Sequence, residues 1–230
     1  MLLNSETPID ESGDEPAIMF KNSQCPVVIG PNRIQAAKHL MENTDSNVIL
    51  SDDGLQHFSL GRDIEILMID GNRKFGNELL LPAGPLREPK SRIKTVDFII
   101  SSNRKWPSVA KYEMKYRPFK WVHMKSQKEY DIFDWPLKKE VNAVAGIGNP
   151  SNFFNLLKQL GFDISEYAFP DHHDFHRVDF EIMDNQPTVM TEKDAIKCSF
   201  LDHTNYWYLK IEAEVSDNFE QDFLAEIKSK

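Results

Sequence analysis

Two stretches of this chain gather more ionisable side chains than a fold requires. The first is Ser51-Asp52-Asp53-Gly54-Leu55-Gln56-His57, in which two adjacent carboxylates precede a glycine, an amide and an imidazole. It follows the apolar run Val48-Ile49-Leu50, and the pattern reads as a buried parallel strand delivering charge to the edge of an open α/β sheet, where ligands bind. Neighbouring carboxylates at such a strand end suit Mg²⁺, a hard cation held by one or two carboxylates plus substrate phosphate. A strand closed by an ordinary Asp-Gly turn fits the same residues, and the pattern leaves both readings open. The second stretch is Asp171-His172-His173-Asp174-Phe175-His176. It invites a zinc reading, but H-x-x-x-H holds only as His172/His176, no glutamate adjoins the first histidine, and Pro170 argues against a helix there. One histidine oriented by a carboxylate for proton transfer is a more general reading. A capping aspartate with surface histidines is the plain one.

The elements that would position these residues follow an α/β rhythm. Residues 1–16 are polar and punctuated and read as an extended loop. Pro26–Gly30 reads as a short buried strand, and Pro31-Asn32 opens a helix with Ile34, Ala37, Leu40 and Met41 inward. Val48–Leu50, Asp63–Gly71 and Val96–Ile100 read as further strands of a largely parallel sheet. Residues 71–92 form a long irregular segment, rich in proline and glycine yet too apolar to be merely disordered, which favours a functional loop. Alternation over Glu113–Tyr116 and Phe119–Met124, separated by Arg117-Pro118, predicts a small antiparallel hairpin. A second α/β rhythm starts at Val141. A strand enters the loop Gly146-Ile147-Gly148, then a helix capped by Ser151 or Asn152 buries Phe153, Phe154, Leu157 and Leu160 and ends at Gly161. Gly146-x-Gly148 falls short of a dinucleotide fingerprint, and tight strand-to-helix packing explains it better. Pro187–Met190 is a strand leading into a helix capped by Thr191, with acids in its first turn. Tyr206–Ile211 is a strand, and a tail helix turns Phe219, Phe223, Leu224 and Ile227 inward.

Composition bounds the function. The length of 230 residues suits one large domain or two small ones, and 40% hydrophobic residues suffice for a real core. A net charge of −9 argues against sequence-independent nucleic-acid binding, which wants a basic footprint, although Arg87 to Arg92 forms a local basic patch. Cys25 and Cys198 are too few and too far apart for a disulfide framework or a zinc site, so a reducing, cytosolic setting is the default. No apolar run approaches a membrane span and no signal peptide opens the chain, which reads as soluble.

Several blocks, in this order, resemble one family. They are Ser51-Asp52-Asp53-Gly54-Leu55-Gln56-His57, Asp63-Ile64-Glu65-Ile66, Phe75-Gly76-Asn77, Leu81-Pro82-Ala83-Gly84-Pro85-Leu86-Arg87-Glu88, Phe169-Pro170-Asp171-His172 and Met190-Thr191-Glu192-Lys193-Asp194-Ala195. Together they resemble the tetraacyldisaccharide 4'-kinase (lipid A 4'-kinase) family of Gram-negative bacteria. The resemblance implies an α/β fold with a P-loop-NTPase-like parallel sheet over residues 1–103, a β-rich connector over 104–140 and a second, smaller α/β domain over 141–230. It implies transfer of the γ-phosphate of ATP to the 4'-hydroxyl of a lipid-linked glucosamine disaccharide, at the cytoplasmic face of the inner membrane. Carried over by motif, Asp52 and Asp53 would hold Mg²⁺ at the Walker B position. Asp14, in the Gly-Asp-Glu-Pro block, would accept the sugar hydroxyl proton, with His172 raising its basicity or orienting it. Gln56, His57, Arg87 and Glu88, together with Asp53, would line the nucleotide and substrate cleft.

The family also carries an N-terminal membrane-embedded helix and, after it, a glycine-rich phosphate loop with Lys and Ser/Thr. No G-x-x-x-x-G-K-[ST] run occurs in these 230 residues. The resemblance therefore implies the C-terminal two-thirds of such a kinase, with a sheet incomplete at its N-terminal side. The alternative function is a non-catalytic remnant that binds the anionic disaccharide or a nucleotide through Arg87, Arg92 and the 71–92 loop.

Overall fold

The computed structural model describes residues 1–183, 185–201 and 205–230. In chain order its elements are α1 (Ile9–Ser12), α2 (Asp14–Ser23), α3 (Arg33–Asn43), β1 (Ile66–Asp70), β2 (Phe98–Ser102), β3 (Tyr112–His123), β4 (Glu129–Asp131), β5 (Glu140–Ala145), α4 (Pro150–Gln159), β6 (Asp163–Ala168), α5 (Val178–Glu181), β7 (Thr188–Thr191), α6 (Glu192–Ala195), β8 (Tyr206–Val215) and α7 (Asp217–Ser229). They divide into two compact units, each discontinuous in sequence. The first comprises Met1–Pro31, His39–Ser46 and Pro118–Ile211, and the second Asn32–Lys38, Asn47–Arg117 and Glu212–Lys230. The expected α/β class with mostly parallel strands holds in both.

In the first unit β5 lies between β6 and β7, parallel to each, and β8 continues in parallel beyond β7. Val141, Ala143, Val144 and Ala145 of β5 and Val189 and Met190 of β7 are fully buried, as a parallel strand covered on both faces must be. One face carries Phe153, Phe154 and Leu157 of α4 with Trp121 and Trp207; the other carries Phe175, Phe180 and Cys198. Burial pushes the Cys198 thiol up to about 12, whereas Cys25 is exposed. In the second unit β1, β2 and β3 run parallel in that order, from Ile66↔Phe98 to Ser102↔Met114. Phe219 and Phe223 of α7 close that core edge-on against Phe98.

Several expectations need correction. Residues 1–16 are not an extended loop but contain α1 and the start of α2. Asp10, Glu11, Asp14 and Glu15 sit in first turns, where acids complement the helix dipole, and Gly13 links the helices at φ +83. Because α2 buries none of its residues, no apolar period marks it. Pro26–Gly30 forms only a single antiparallel bridge, Leu2↔Val28. Val48–Leu50 is not a strand: it pairs with no described strand, and Leu50 is 81% exposed. The 113–124 segment is no hairpin, since β3 runs straight through Arg117-Pro118. Pro118 lies between the residues paired to β2 and those paired to β4, where its missing N–H interrupts neither register, and the antiparallel partner is β4. The α4 helix starts earlier than expected, with Asn149 at its N-cap and Pro150 in its first turn. The α7 residue Leu224 is 46% exposed rather than inward, and β6 was not foreseen.

Candidate active site

Each unit assembles one cluster of charged side chains. In the first, the junction of β7 and α6 is the anchor. Thr191 caps α6 by accepting the Asp194 N–H at 3.1 Å, and its hydroxyl donates to Asp194 Oδ2 at 2.6 Å. The same Oδ2 accepts the Gly146 N–H at 3.0 Å, and Lys197 Nζ stands 3.4 Å from Oδ1. A Cβ on Gly146 would come within 3.1 Å of both Asp194 Oδ1 and Phe175, which is why glycine follows β5 there. Asp194 is therefore a buried structural carboxylate, and the tight-packing reading of Gly146 agrees with it.

From that anchor Lys193 projects into a group of acids and an imidazole. Its Nζ donates to Glu15 Oε1 at 3.1 Å, lies 3.4 Å from His172 Nε2, and stands 3.9 and 4.0 Å from the Asp14 and Asp171 carboxylates. His172 Nδ1 is 3.3 Å from Asp14 Oδ2. Asp14 Oδ1 accepts the Glu15 N–H at 3.0 Å, while Oδ2 is buried with no hydrogen bond among the described residues. Such an orphaned acceptor is costly, and a catalytic role is one of the few things that explains it. His172 holds φ at +59, an uncommon conformation for a side-chain-bearing residue, and its N–H donates to Asp171 Oδ1 at 3.1 Å. Asp14 and His172, far apart in sequence, are thus brought together. The other histidines engage different carboxylates. His173 Nε2 meets Asp179 at 3.0 Å, and His176 Nε2 lies 3.7 Å from Asp174. No three metal-ligand side chains converge among the described residues, so the zinc reading finds no site there.

The second unit holds Asp52, Asp53, Gln56, His57, Arg87 and Glu88. Asp53 sits in a turn at φ +46, and both its oxygens accept from Arg87 Nη1, at 3.0 and 2.8 Å. Hydrogen bonding to Asp53, then its charge, raises the Arg87 guanidinium above its ordinary value. Arg87 also donates to Gln56 Oε1 at 3.2 Å, Gln56 Nε2 donates to Glu88 at 2.8 Å, and Arg92 Nε donates to Glu88 at 3.1 Å. Arg92 continues to Glu65, which Arg62 also meets at 3.1 Å. Arg62 in turn donates to the carbonyls of Gly54, Leu55 and His57, so guanidiniums fasten the turn that carries Asp53. His57 joins this network through its backbone alone, its side chain facing solvent. Asp52 contributes its carbonyl, which accepts from Arg33 at 3.4 Å. The expected strand delivering Asp52 and Asp53 does not form, but Asp53, Gln56, Arg87 and Glu88 do converge.

Asp52 and Asp53 offer exposed oxygen donors beside a guanidinium, a set that suits a hard cation and phosphate. With only two carboxylates, such a cation would complete its shell with phosphate and water. Sequence reasoning missed Arg62, Glu65 and Lys193 as parts of these clusters. Lys193 looked like an ordinary first-turn residue behind a good cap, and Glu65 like one polar position in a strand.

A family model described as LpxK, tetraacyldisaccharide-1-P 4'-kinase, matches residues 1–228. The tetraacyldisaccharide 4'-kinase of Legionella pneumophila (strain Corby) is 46% identical over 213 residues, covering 92% of this chain and 64% of that protein. The tetraacyldisaccharide 4'-kinase of Shewanella woodyi is 43% identical over 221 residues, covering 95% of this chain and 63% of that protein. The chain therefore spans less than two-thirds of the length of these curated relatives. A crystal structure of the "apo" form of LpxK from Aquifex aeolicus in complex with ATP aligns at a TM-score of 0.81 with 26% identity, covering 98% of this chain and 73% of that one. A match of this extent, over blocks that include both charge clusters, shows that the chain belongs to the tetraacyldisaccharide-1-P 4'-kinase family.

Proposed function

We propose that the chain carries the phosphotransferase chemistry of its family: transfer of the γ-phosphate of ATP to the 4'-hydroxyl of a tetraacyl glucosamine disaccharide 1-phosphate in lipid A biosynthesis. The single observation that carries this reading is the buried, unbonded Asp14 Oδ2 beside His172. Phosphoryl transfer asks the protein for positioning, charge neutralisation and one well-placed base rather than a strong nucleophile. Asp14 would accept the hydroxyl proton as the sugar oxygen bonds to phosphorus and the bond to the β–γ bridging oxygen breaks, releasing ADP. His172 would hold the Asp14 carboxylate in place for that transfer. Asp52 and Asp53 would hold Mg²⁺, which when bound neutralises charge developing on the phosphates. Arg87, with Gln56 and Glu88 steering it, would bind phosphate oxygens, and His57 is free to contact nucleotide or sugar. Among the described residues no helix is long and apolar enough to cross a membrane. The lipid precursor would be met at the cytoplasmic face of the inner membrane.

Asp14→Asn and His172→Ala should each lower ATP-dependent phosphorylation of the tetraacyldisaccharide 1-phosphate by about 10²–10⁴-fold. Undiminished turnover in both variants would remove the pair as the base. Binding of the precursor by the unsubstituted chain with no ATP-dependent product would replace catalysis with the non-catalytic alternative.

A further inference from the structure

We propose that Lys193 is a positioning residue that fixes the His172 imidazole in its Nδ1–H form. An ammonium has three donors and no acceptor. Lys193 Nζ lies 3.4 Å from His172 Nε2, so in a neutral ring this contact is a hydrogen bond only when Nε2 carries the lone pair. The ring proton then sits on Nδ1, 3.3 Å from Asp14 Oδ2, with Lys193 Nζ 3.9 Å from the same oxygen. The opposite tautomer would turn a lone pair toward that carboxylate and an N–H toward the ammonium, losing both interactions.

The surroundings make lysine the fixed member of the pair. Its side chain is 21% exposed against 59% for His172. It is tied to Glu15, faces Asp14 and Asp171, and rises from a helix start locked by Thr191 and Asp194. Asp171 Oδ2 stands 4.0 Å from Nε2, too far to take a hydrogen bond from it, so Lys193 is the charged group that acts on Nε2 while Asp14 favours the same tautomer from the Nδ1 side. The catalytic consequence rests on the kinase reading above. A misplaced ring proton would leave Asp14 without the N–H that orients it, and turnover would fall while substrate binding stayed as it was.

Long-range ¹⁵N–¹H NMR of the full chain, above the ordinary histidine titration range, tests this directly, with the His172 ring assigned by its loss in His172→Ala. The unsubstituted protein should show the Nδ1–H signature, Lys193→Met should shift the ring toward Nε2–H, and Lys193→Arg, which keeps a donor-only cation, should restore Nδ1–H. An Nε2–H or doubly protonated ring in the unsubstituted protein, or the same tautomer in Lys193→Met, overturns the assignment. In turnover, Lys193→Met should lower kcat about 10²-fold with KM little changed, and Lys193→Arg should recover part of it. Unchanged kcat in Lys193→Met beside an inactive His172→Ala overturns the role of Lys193 alone. Active Asp14→Asn and His172→Ala variants would remove the pair as the base of the kinase reading and leave the tautomer result standing.

Discussion

In the cluster of Asp14, His172 and Lys193, the lysine stands on a segment whose backbone is locked from below. Lys193 follows the fully buried β7, and Asp194, one residue on, is wholly enclosed with Gly146, Thr191 and Lys197 as partners. In the cluster of Asp53, Gln56, Arg87 and Glu88, the backbone is a loop and the side chains hold one another. Arg87 and Asp53 are 57% and 68% exposed, and the turn is fastened by guanidinium-to-carbonyl bonds from Arg62. One site is positioned by packing and the other by charge. The first kind resists salt and tolerates little substitution; the second yields to salt and can rearrange when an anionic ligand competes for its cations.

The sharpest way to break this contrast is Asp194→Ala. It strands the Gly146 N–H and Lys197 in a closed site and should cost about 3–5 kcal/mol in chemical denaturation. A loss under about 1 kcal/mol would mean that the anchor beneath Lys193 is not what holds it. Next comes Gly71→Ala, because the second unit has one tightly packed point of its own. A Cβ there would lie 1.8 Å from the Arg104 carbonyl oxygen at the end of β1, so the backbones must part. The expected cost is about 1–3 kcal/mol, and a neutral outcome would show the strand ends of that unit to be as adaptable as its loop. Arg92→Met should cost only about 1 kcal/mol or less in dilute buffer and nothing measurable in molar salt. A salt-independent loss would move this cluster into the packed class.

The smallest effect is in pH. Burial pushes the Asp179 carboxyl up, but the His176 N–H and the His173 ring outweigh it and leave the group below its ordinary value. Asp70 is lowered chiefly by the Arg73 N–H, with burial opposing and Asn103 assisting. A carboxyl depressed in the folded state contributes stability above its unfolded value and loses it as pH falls through the folded one. Denaturation midpoints should therefore drop below about pH 4, and Asp179→Asn and Asp70→Asn should each flatten that slope. An unchanged slope in both would leave the acid loss to other carboxylates.

The same contrast explains how much could be read from the sequence. β5 and β7 announced themselves as β-branched or small apolar runs because they are covered on both faces, and Thr191 was legible because a cap is local chemistry. Val48–Leu50 has the same texture and is no strand, since a strand needs a neighbour and residue types do not supply one. α2 was invisible because none of its residues is fully buried, so no apolar period marks it. Asp14 and His172 came from motif resemblance; their 3.3 Å approach depends on long-range folding that no spacing encodes. The links of Arg62 and Glu65 to Arg92 were hidden because Arg62 and Glu65 look like ordinary surface charges until the loop closes.

The unequal burial of the two thiols has a practical consequence. Thiolate is the form that reacts with alkylating reagents. Cys25, being exposed, should react at the reagent's own pace, whereas Cys198, held near 12 at the end of the turn that follows α6, must wait for that turn to open. The ratio of the two labelling rates is thus a stopwatch inside one polypeptide. It times how often the ground beneath Lys193 gives way, long before the whole chain unfolds.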